Sequence, residues 1–252
     1  MPSQADSRRA RLGSRFSALM LQLGLACGAA ALLSGAPAAQ AIPEADAIKK
    51  LQVIPVFVIT DPQGVPLPIP REKALLLPLY LESARANQEL AALKKSSPSV
   101  KAIVTPVPLN VMNEKVTALN KQLKDKSKPL VAPVMTNDAD RQQAVVILKG
   151  EGLTEQQIQE GLSVPVFFTK PFLTINTPEG PRGVFFFNYS ELQRALSQVP
   201  PAEQQKLKPQ VADLSAVLQE IVKAPKDNFL IFPTPDYFRL VKESQAKAKP
   251  GG

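Results

Sequence analysis

The chain has 252 residues, a net charge of +8, one cysteine and no histidine. Without histidine, Ser-His-Asp and Cys-His nucleophile systems are excluded and a zinc site loses its commonest ligand; with Cys27 alone, no internal disulfide can form. The basic excess does not point to nucleic acid, because its dense stretches, Lys94-Lys95 and Lys121 to Lys128, lack interleaved aromatics and read as solvated helix faces.

Residues 1–41 read as an address rather than structure. Arg8, Arg9, Arg11 and Arg15 form a positive start, Phe16 to Leu33 an apolar stretch, and Ala39-Gln40-Ala41 a small-residue cleavage signal before Ile42. That order describes a secretory signal peptide cut after Ala41. The apolar stretch is broken by Gln22 and several Gly and is followed by Pro37, so no integral membrane span is expected after cleavage. Ser7-Arg8-Arg9 hints at twin-arginine export, but Arg11 stands where such signals carry an apolar residue. Cys27 reads as part of the discarded leader, since the chain stays apolar after it through Leu33. An Arg-rich, acid-poor organelle transit peptide is the alternative reading.

Beyond the leader, Ala45 to Leu51 predicts a short helix and Val53 to Thr60 a β-branched strand. Pro62, Pro66, Pro68 and Pro70 forbid a helix in the following loop. Ala74 to Tyr80 predicts a second strand, with Pro78 marking an edge or bulge. Glu82 to Lys95 is rich in helix formers. Lys101 to Val107 predicts a strand closed by Pro108, and Asn110 is expected to cap a helix bearing Met112, Val116, Leu119 and Leu123 on one face.

Leu130 to Val134 predicts a short strand and Asp138 to Lys149 a helix closed by Gly150 and Gly152. Thr154 caps a helix from Glu155 to Gly161. Val164 to Thr169 and Leu173 to Asn176 predict strands, and Val184 to Asn188 a strand with three consecutive Phe. Tyr189 to Val199 predicts a helix with Ser190 as its cap. Pro209 to Lys223 shows an apolar stripe of Val211, Leu214, Leu218, Ile221 and Val222 and predicts one long helix. Phe229 to Phe232 predicts a strand, Asp236 to Gln245 a helix, and 246–252 a disordered tail.

No two acidic residues are spaced to place paired carboxylates beside an apolar cleft, and the glycines form no phosphate-cradling loop. The reading is of a binding protein rather than an enzyme, with no catalytic residue, metal or cofactor.

The interleaved strands and helices lack a regular βαβ beat, so the fold class is α+β with mixed sheets and packed helices. The chain also echoes itself. IKKLQVIPVF (Ile48 to Phe57) returns as IQEGLSVPVF (Ile158 to Phe167). Tyr80-Leu81-Glu82 returns as Tyr189-Ser190-Glu191, and Ile103 to Pro108 as Leu230 to Pro235. The echoes predict an internally duplicated, pseudo-twofold architecture: a half-repeat over 42–128 and another over 129–245, sharing one core.

IPVFVIT (Ile54 to Thr60), KAIVTPVPL (Lys101 to Leu109), LSVPVFF (Leu162 to Phe168) and VFFFNYSEL (Val184 to Leu192) resemble, in their order, the twenty-two-kilodalton component family of the translocon at the inner envelope membrane of chloroplasts (the Tic complex). The bacterial-type leader points to its cyanobacterial, periplasmic branch; thylakoid lumen and chloroplast intermembrane space are the alternatives. The resemblance implies a protein-transport factor with apolar pockets that hold unfolded precursors in a chaperone-like way. It also implies transfer to or from the outer-membrane β-barrel assembly machinery, an assembly protein of which would be a partner. A scaffold or adaptor for one folded envelope partner is the alternative function. The residues expected to carry binding sit at or near equivalent places in the two halves: Phe57 and Phe167, Tyr80 and Tyr189, Pro106 and Pro108 with Pro233 and Pro235, and Phe185, Phe187 and Phe232.

Overall fold

The computed structural model describes residues 42–123 and 125–248. The predicted leader, with Ala39 and Ala41 of its cleavage signal, lies outside them, as do 249–252. The described residues form nine helices and twelve strands in an α+β arrangement.

Helix α1 (Glu44–Lys49) passes through a 3₁₀ turn (Lys50–Val53) into β1 (Pro55–Thr60). The short strands β2 (Ile69–Pro70), β3 (Leu75–Leu76) and β4 (Leu79–Tyr80) follow, the last two separated at Leu77-Pro78. Then come α2 (Ser83–Ser96), β5 (Ile103–Pro108), α3 (Leu109–Gln122), β6 (Leu130–Val131), β7 (Val134–Met135) and α4 (Asp138–Gly150). The chain continues through α5 (Glu155–Gly161), β8 (Pro165–Lys170), β9 (Thr174–Thr177), β10 (Gly180–Phe185) and α6 (Tyr189–Ser197). It closes with α7 (Pro201–Gln204), β11 (Lys208–Asp213), α8 (Leu214–Lys223), β12 (Phe229–Ile231) and α9 (Pro235–Ala248).

One sheet has the order β5-β1-β4-β7. A β11-β8 pair and a β12-β10-β9 sheet are linked by a bridge between Phe167 and Phe186. The two arrangements share a pairing scheme. β1 runs antiparallel to β5 from Pro55 opposite Pro108 to Thr60 opposite Ile103, and β8 runs antiparallel to β11 from Pro165 opposite Asp213 to Lys170 opposite Lys208. A helix starts at once after β5 and after β11. The Leu109 N–H donates to the Ile54 carbonyl and the Leu214 N–H to the Val164 carbonyl. On the other flank Phe57 faces Tyr80 as Phe167 faces Phe186. Lys208–Asp213 thus pairs with β8 as Ile103–Pro108 pairs with β1, whereas the Leu230–Pro235 segment that echoes Ile103–Pro108 in sequence pairs differently, and the predicted duplication is not confirmed. β6 and β7, assigned by sequence to the second half-repeat, pair in parallel with β3 and β4 of the first.

Strand alternation sorts the core. Val56 and Val58 join Val166 and Phe168 in one shared cluster with Leu77, Met112, Phe185 and Ile221. The intervening Phe57 packs instead with Tyr80 and Ala86, and Phe167 with Ala144, Leu148, Ile158, Phe186 and Leu192. Two helices are exchanged across this plan. α4 leaves β7 of the first sheet and covers the Phe167 cluster through Ala144 and Leu148, whereas α9 leaves β12 and meets the Phe57 cluster through Leu240.

Several local expectations are corrected. The helix predicted from Pro209 begins only at Leu214, because 208–213 pairs along the whole length of β8; tertiary pairing overrides a local helical stripe. Asp213 caps it, accepting the Ser215 N–H at 3.0 Å. Asn110 does not cap α3: Pro108 holds that place, and Asn110 sits in the first turn with Oδ1 buried and unpartnered. Ser190 likewise lies inside α6, behind Asn188. The triple-Phe strand ends at Phe185, with Phe186 forming only the bridge to Phe167. Residues 246–248, read as tail, complete α9.

Candidate functional site

The predicted binding residues divide sharply. Phe57, Tyr80, Phe167, Phe185 and Phe187 are all 5% exposed or less. They are core side chains that form no open groove: β1, β4, β8 and the C-terminal half of β10 are buried on both faces, and Phe187 follows just beyond β10. Burial pushes the Tyr80 phenol above its ordinary pKa, with Glu89 adding to the rise and Arg85 opposing it. Tyr189 and Phe232 lie at the rim. Tyr189 packs on Phe167 with ring centres 5.3 Å apart, and Phe232 on Phe186 at 5.2 Å.

The prolines act on the backbone. In the β1–β5 ladder the Leu109–Ile54 bond sets the phase, so Val107, Thr105 and Ile103 bond to β1 while Pro108, Pro106 and Val104 face the open edge. Pro106 and Pro108 thus stand at two of the three outward positions and offer no N–H there. That blunts the edge against pairing with another chain. Pro235 opens α9, where a missing N–H costs nothing, and Pro233 is half-buried just before it.

One aromatic series does reach solvent. From buried Phe186 it runs through half-buried Phe232 to Phe238, 6.1 Å further on and 52% exposed, with Tyr237 against its edge. Phe238 escaped the sequence reading. Its signal was present: Tyr237 and Phe238 are adjacent on a helix whose inward residue is Leu240, so both rings cannot face the core.

Two shallow pockets lie at the N-termini of α6 and α2. The larger, about 520 Å³, is lined by Glu82, Asn137, Ala139, Asp140, Gln143, Tyr189 and Ser190. The smaller, about 280 Å³, includes Glu82, Ser83, Asn188, Thr234, Asp236 and Arg239. Each is floored by a carboxylate from an exchanged helix. Asp140 of α4, buried, accepts the Tyr189 N–H (2.8 Å) and the Asn188 amide (3.0 Å), and Asn137 donates to it at 2.6 Å. Asp236 of α9 accepts the Ser83 N–H and hydroxyl, both at 2.9 Å, and is gripped by Arg239 at 2.7 Å. Both carboxylates serve as helix caps supplied from elsewhere in the chain. Asp140 accepts three hydrogen bonds and Asp236 accepts from both Ser83 and Arg239, so both pockets present capped helix ends. Among the described residues, no three acidic side chains meet in a metal-binding cluster.

Known proteins resemble this arrangement over most of the chain. The model of the Tic22-like family matches residues 1–243. Among solved structures, Anabaena Tic22, described as a protein of protein transport, aligns with a TM-score of 0.64 at 21% identity, covering 84% of this chain and 99% of that one. Tic22 from Plasmodium falciparum aligns with a TM-score of 0.62 at 17% identity, covering 80% of this chain and 98% of that one. At such identities the likeness establishes the α+β fold. No curated protein matches the chain.

Proposed function

We propose that this chain, which belongs to the Tic22-like family, is a protein-transport factor that holds unfolded precursors and catalyses no reaction. The observation that carries the reading is the aromatic series ending at Phe238. A large ring left mostly in solvent, backed by Phe232 and rooted in the core at Phe186, is a rigid apolar contact needing little directional bonding. Clients without fixed structure require that kind of contact. Transport is also the role given to the Anabaena relative. Among the described residues no helix is long and apolar enough to cross a membrane. The leader predicted from the sequence supports work in the periplasm, where precursors pass to the outer-membrane β-barrel assembly machinery.

The test follows light scattering as an unfolded outer-membrane barrel protein is diluted from denaturant, with and without the chain from Ile42 to Gly252. Suppressed aggregation near equal molar ratio, without nucleotide, is expected. Phe238→Ser should weaken suppression while leaving stability within about 0.5 kcal/mol, as for an exposed position. Phe185→Ser, at a buried position, should instead cost about 3 kcal/mol or more. Absence of suppression by the unaltered chain would end the holding role and favour an adaptor for one folded partner.

A further inference from the structure

The open edge of β9 is the feature that the transport role leaves unused. Val184 N–H donates to the Leu173 carbonyl at 3.1 Å, which fixes the phase of the β9–β10 ladder. Ile175 and Thr177 therefore bond to β10, while Thr174 and Asn176 turn their N–H and C=O groups outward. None of those four outward groups has a protein partner among the described residues. Thr174, Ile175 and Asn176 are all exposed, Ile175 at 39%, and the strand carries neither proline nor charge.

Several other edges of the described sheets carry a local block to pairing. Prolines stand at two outward positions of β5, and Pro209 stands at one on β11. On β6 the Asn120 side chain accepts the Leu130 N–H at 2.7 Å and donates to its carbonyl at 2.9 Å, filling the place of a neighbouring strand. On β12 the outward Phe229 carbonyl is taken by Lys50 at 3.1 Å. β9 carries no such block at either outward residue, and an unprotected edge is a template for another strand.

We propose that β9 is a strand-addition site, at which an extended, uncharged segment of a client chain pairs antiparallel or parallel with Thr174 and Asn176. The chemistry of the site selects the occupant. Two outward N–H and C=O pairs recognise extended backbone whatever its sequence, and Ile175 adds one apolar contact on one face. A second folded copy is a poorer fit, because a four-residue strand offers far less than the roughly 800 Å² per partner of a stable interface. The choice of a client as occupant rests on the transport reading. Segments alternating apolar and polar residues, as in the strands of unfolded β-barrels, match the edge.

The test uses residues 42–252 and a dye-labelled synthetic peptide alternating valine and threonine. The unaltered chain should bind the peptide, with new hydrogen-exchange protection at the Thr174 and Asn176 amides and no change at Ile175. Asn176→Pro removes an outward donor without touching a bond to β10, giving β9 the character of β5, and should weaken binding about tenfold or more. If circular dichroism shows that variant misfolded, Ile175→Lys replaces it, with the same loss expected from a charge at the edge. Failure of the unaltered chain to bind, unchanged binding by the folded variant, or protection elsewhere overturns the proposal. So does a dimer in sedimentation that dissolves on Asn176→Pro without peptide protection, which would assign the edge to a second copy. Light scattering separates the two readings. Aggregation suppressed by a chain whose β9 does not bind peptide sinks the edge alone, and peptide bound at β9 by a chain that suppresses nothing sinks the holding role alone.

Discussion

Replacing Asp140 by Ala tests whether a helix of one part of the chain stabilises a helix of another. Asp140 is 6% exposed, and its two oxygens receive the Tyr189 N–H, the Asn188 amide and the Asn137 amide. Hydrogen bonds to a charged acceptor contribute about 1.5–3 kcal/mol each, and losing a helix cap costs about 1 kcal/mol. These contributions overlap, since Asn137 also reaches Glu82 at 2.6 Å and Asn188 borders the second pocket. A net loss of about 3 kcal/mol follows, or a fall in Tm of roughly 6–12 °C for a domain of this size. Asp236→Ala removes the matching cap from α2. Its side chain is 17% exposed, and water can replace it at the Ser83 N–H, so about 1 kcal/mol is expected. Urea unfolding followed by far-ultraviolet circular dichroism measures both, with an unchanged slope confirming that only stability moved. An Asp140→Ala loss below about 1 kcal/mol, or one no larger than that of Asp236→Ala, would refute the idea that the buried cap carries the greater load.

Two further outcomes concern single sites. Burial pushes the Glu151 carboxyl above its ordinary pKa, with Lys170 pulling the other way, and Oε1 has no hydrogen-bond partner. The folded state therefore holds this proton more tightly than the unfolded one. Relative stability is greatest below the unfolded value and is lost as pH rises through the folded one. Glu151→Gln should raise Tm at neutral pH, with the gain vanishing as pH falls below the carboxylate range; a gain independent of pH would show that charge is not its source. At Gly183, an added Cβ would lie 3.1 Å from the Phe172 ring and 3.2 Å from that of Phe229. Gly183→Ala should thus cost about 1–3 kcal/mol in urea unfolding, and a neutral result would mean that the two rings yield without loss.

Much of the fold could be read along the chain because local chemistry and tertiary position agree. Thr154 and Gln157 form the capping box that starts α5, and Pro55-Val56-Phe57 and Pro165-Val166-Phe167 begin strands with the same alternation. Agreement failed where a partner strand decided the structure. Pro209 to Val211 continues a helical stripe on paper, and only the length of β8 beside it makes it a strand. Ile103 to Pro108 looks like Leu230 to Pro235 because both are apolar runs before prolines, whereas its pairing counterpart, Lys208 to Asp213, shares almost none of that composition. For the site, the pattern found the aromatic residues but not their exposure. Phe185 and Phe238 are the same residue type, yet one is sealed beneath Phe172 and Phe229 and the other stands in water. Composition shows only that β9 lacks proline and charge; which of its residues face outward is set by hydrogen-bond phase, a property of pairing alone.

The exchange of α4 and α9 bears on how the protein comes into being. A chain emerging N-terminus first presents Phe57, then Tyr80 and Ala86, early in synthesis. Leu240, which packs on them, is synthesised only after every strand of the described residues. Ile59, Val104 and Met135 reach the cluster earlier, but the side that Leu240 covers stays open until α9 is made. Truncation before Leu240 would leave that side of the Phe57 cluster uncovered in the finished chain.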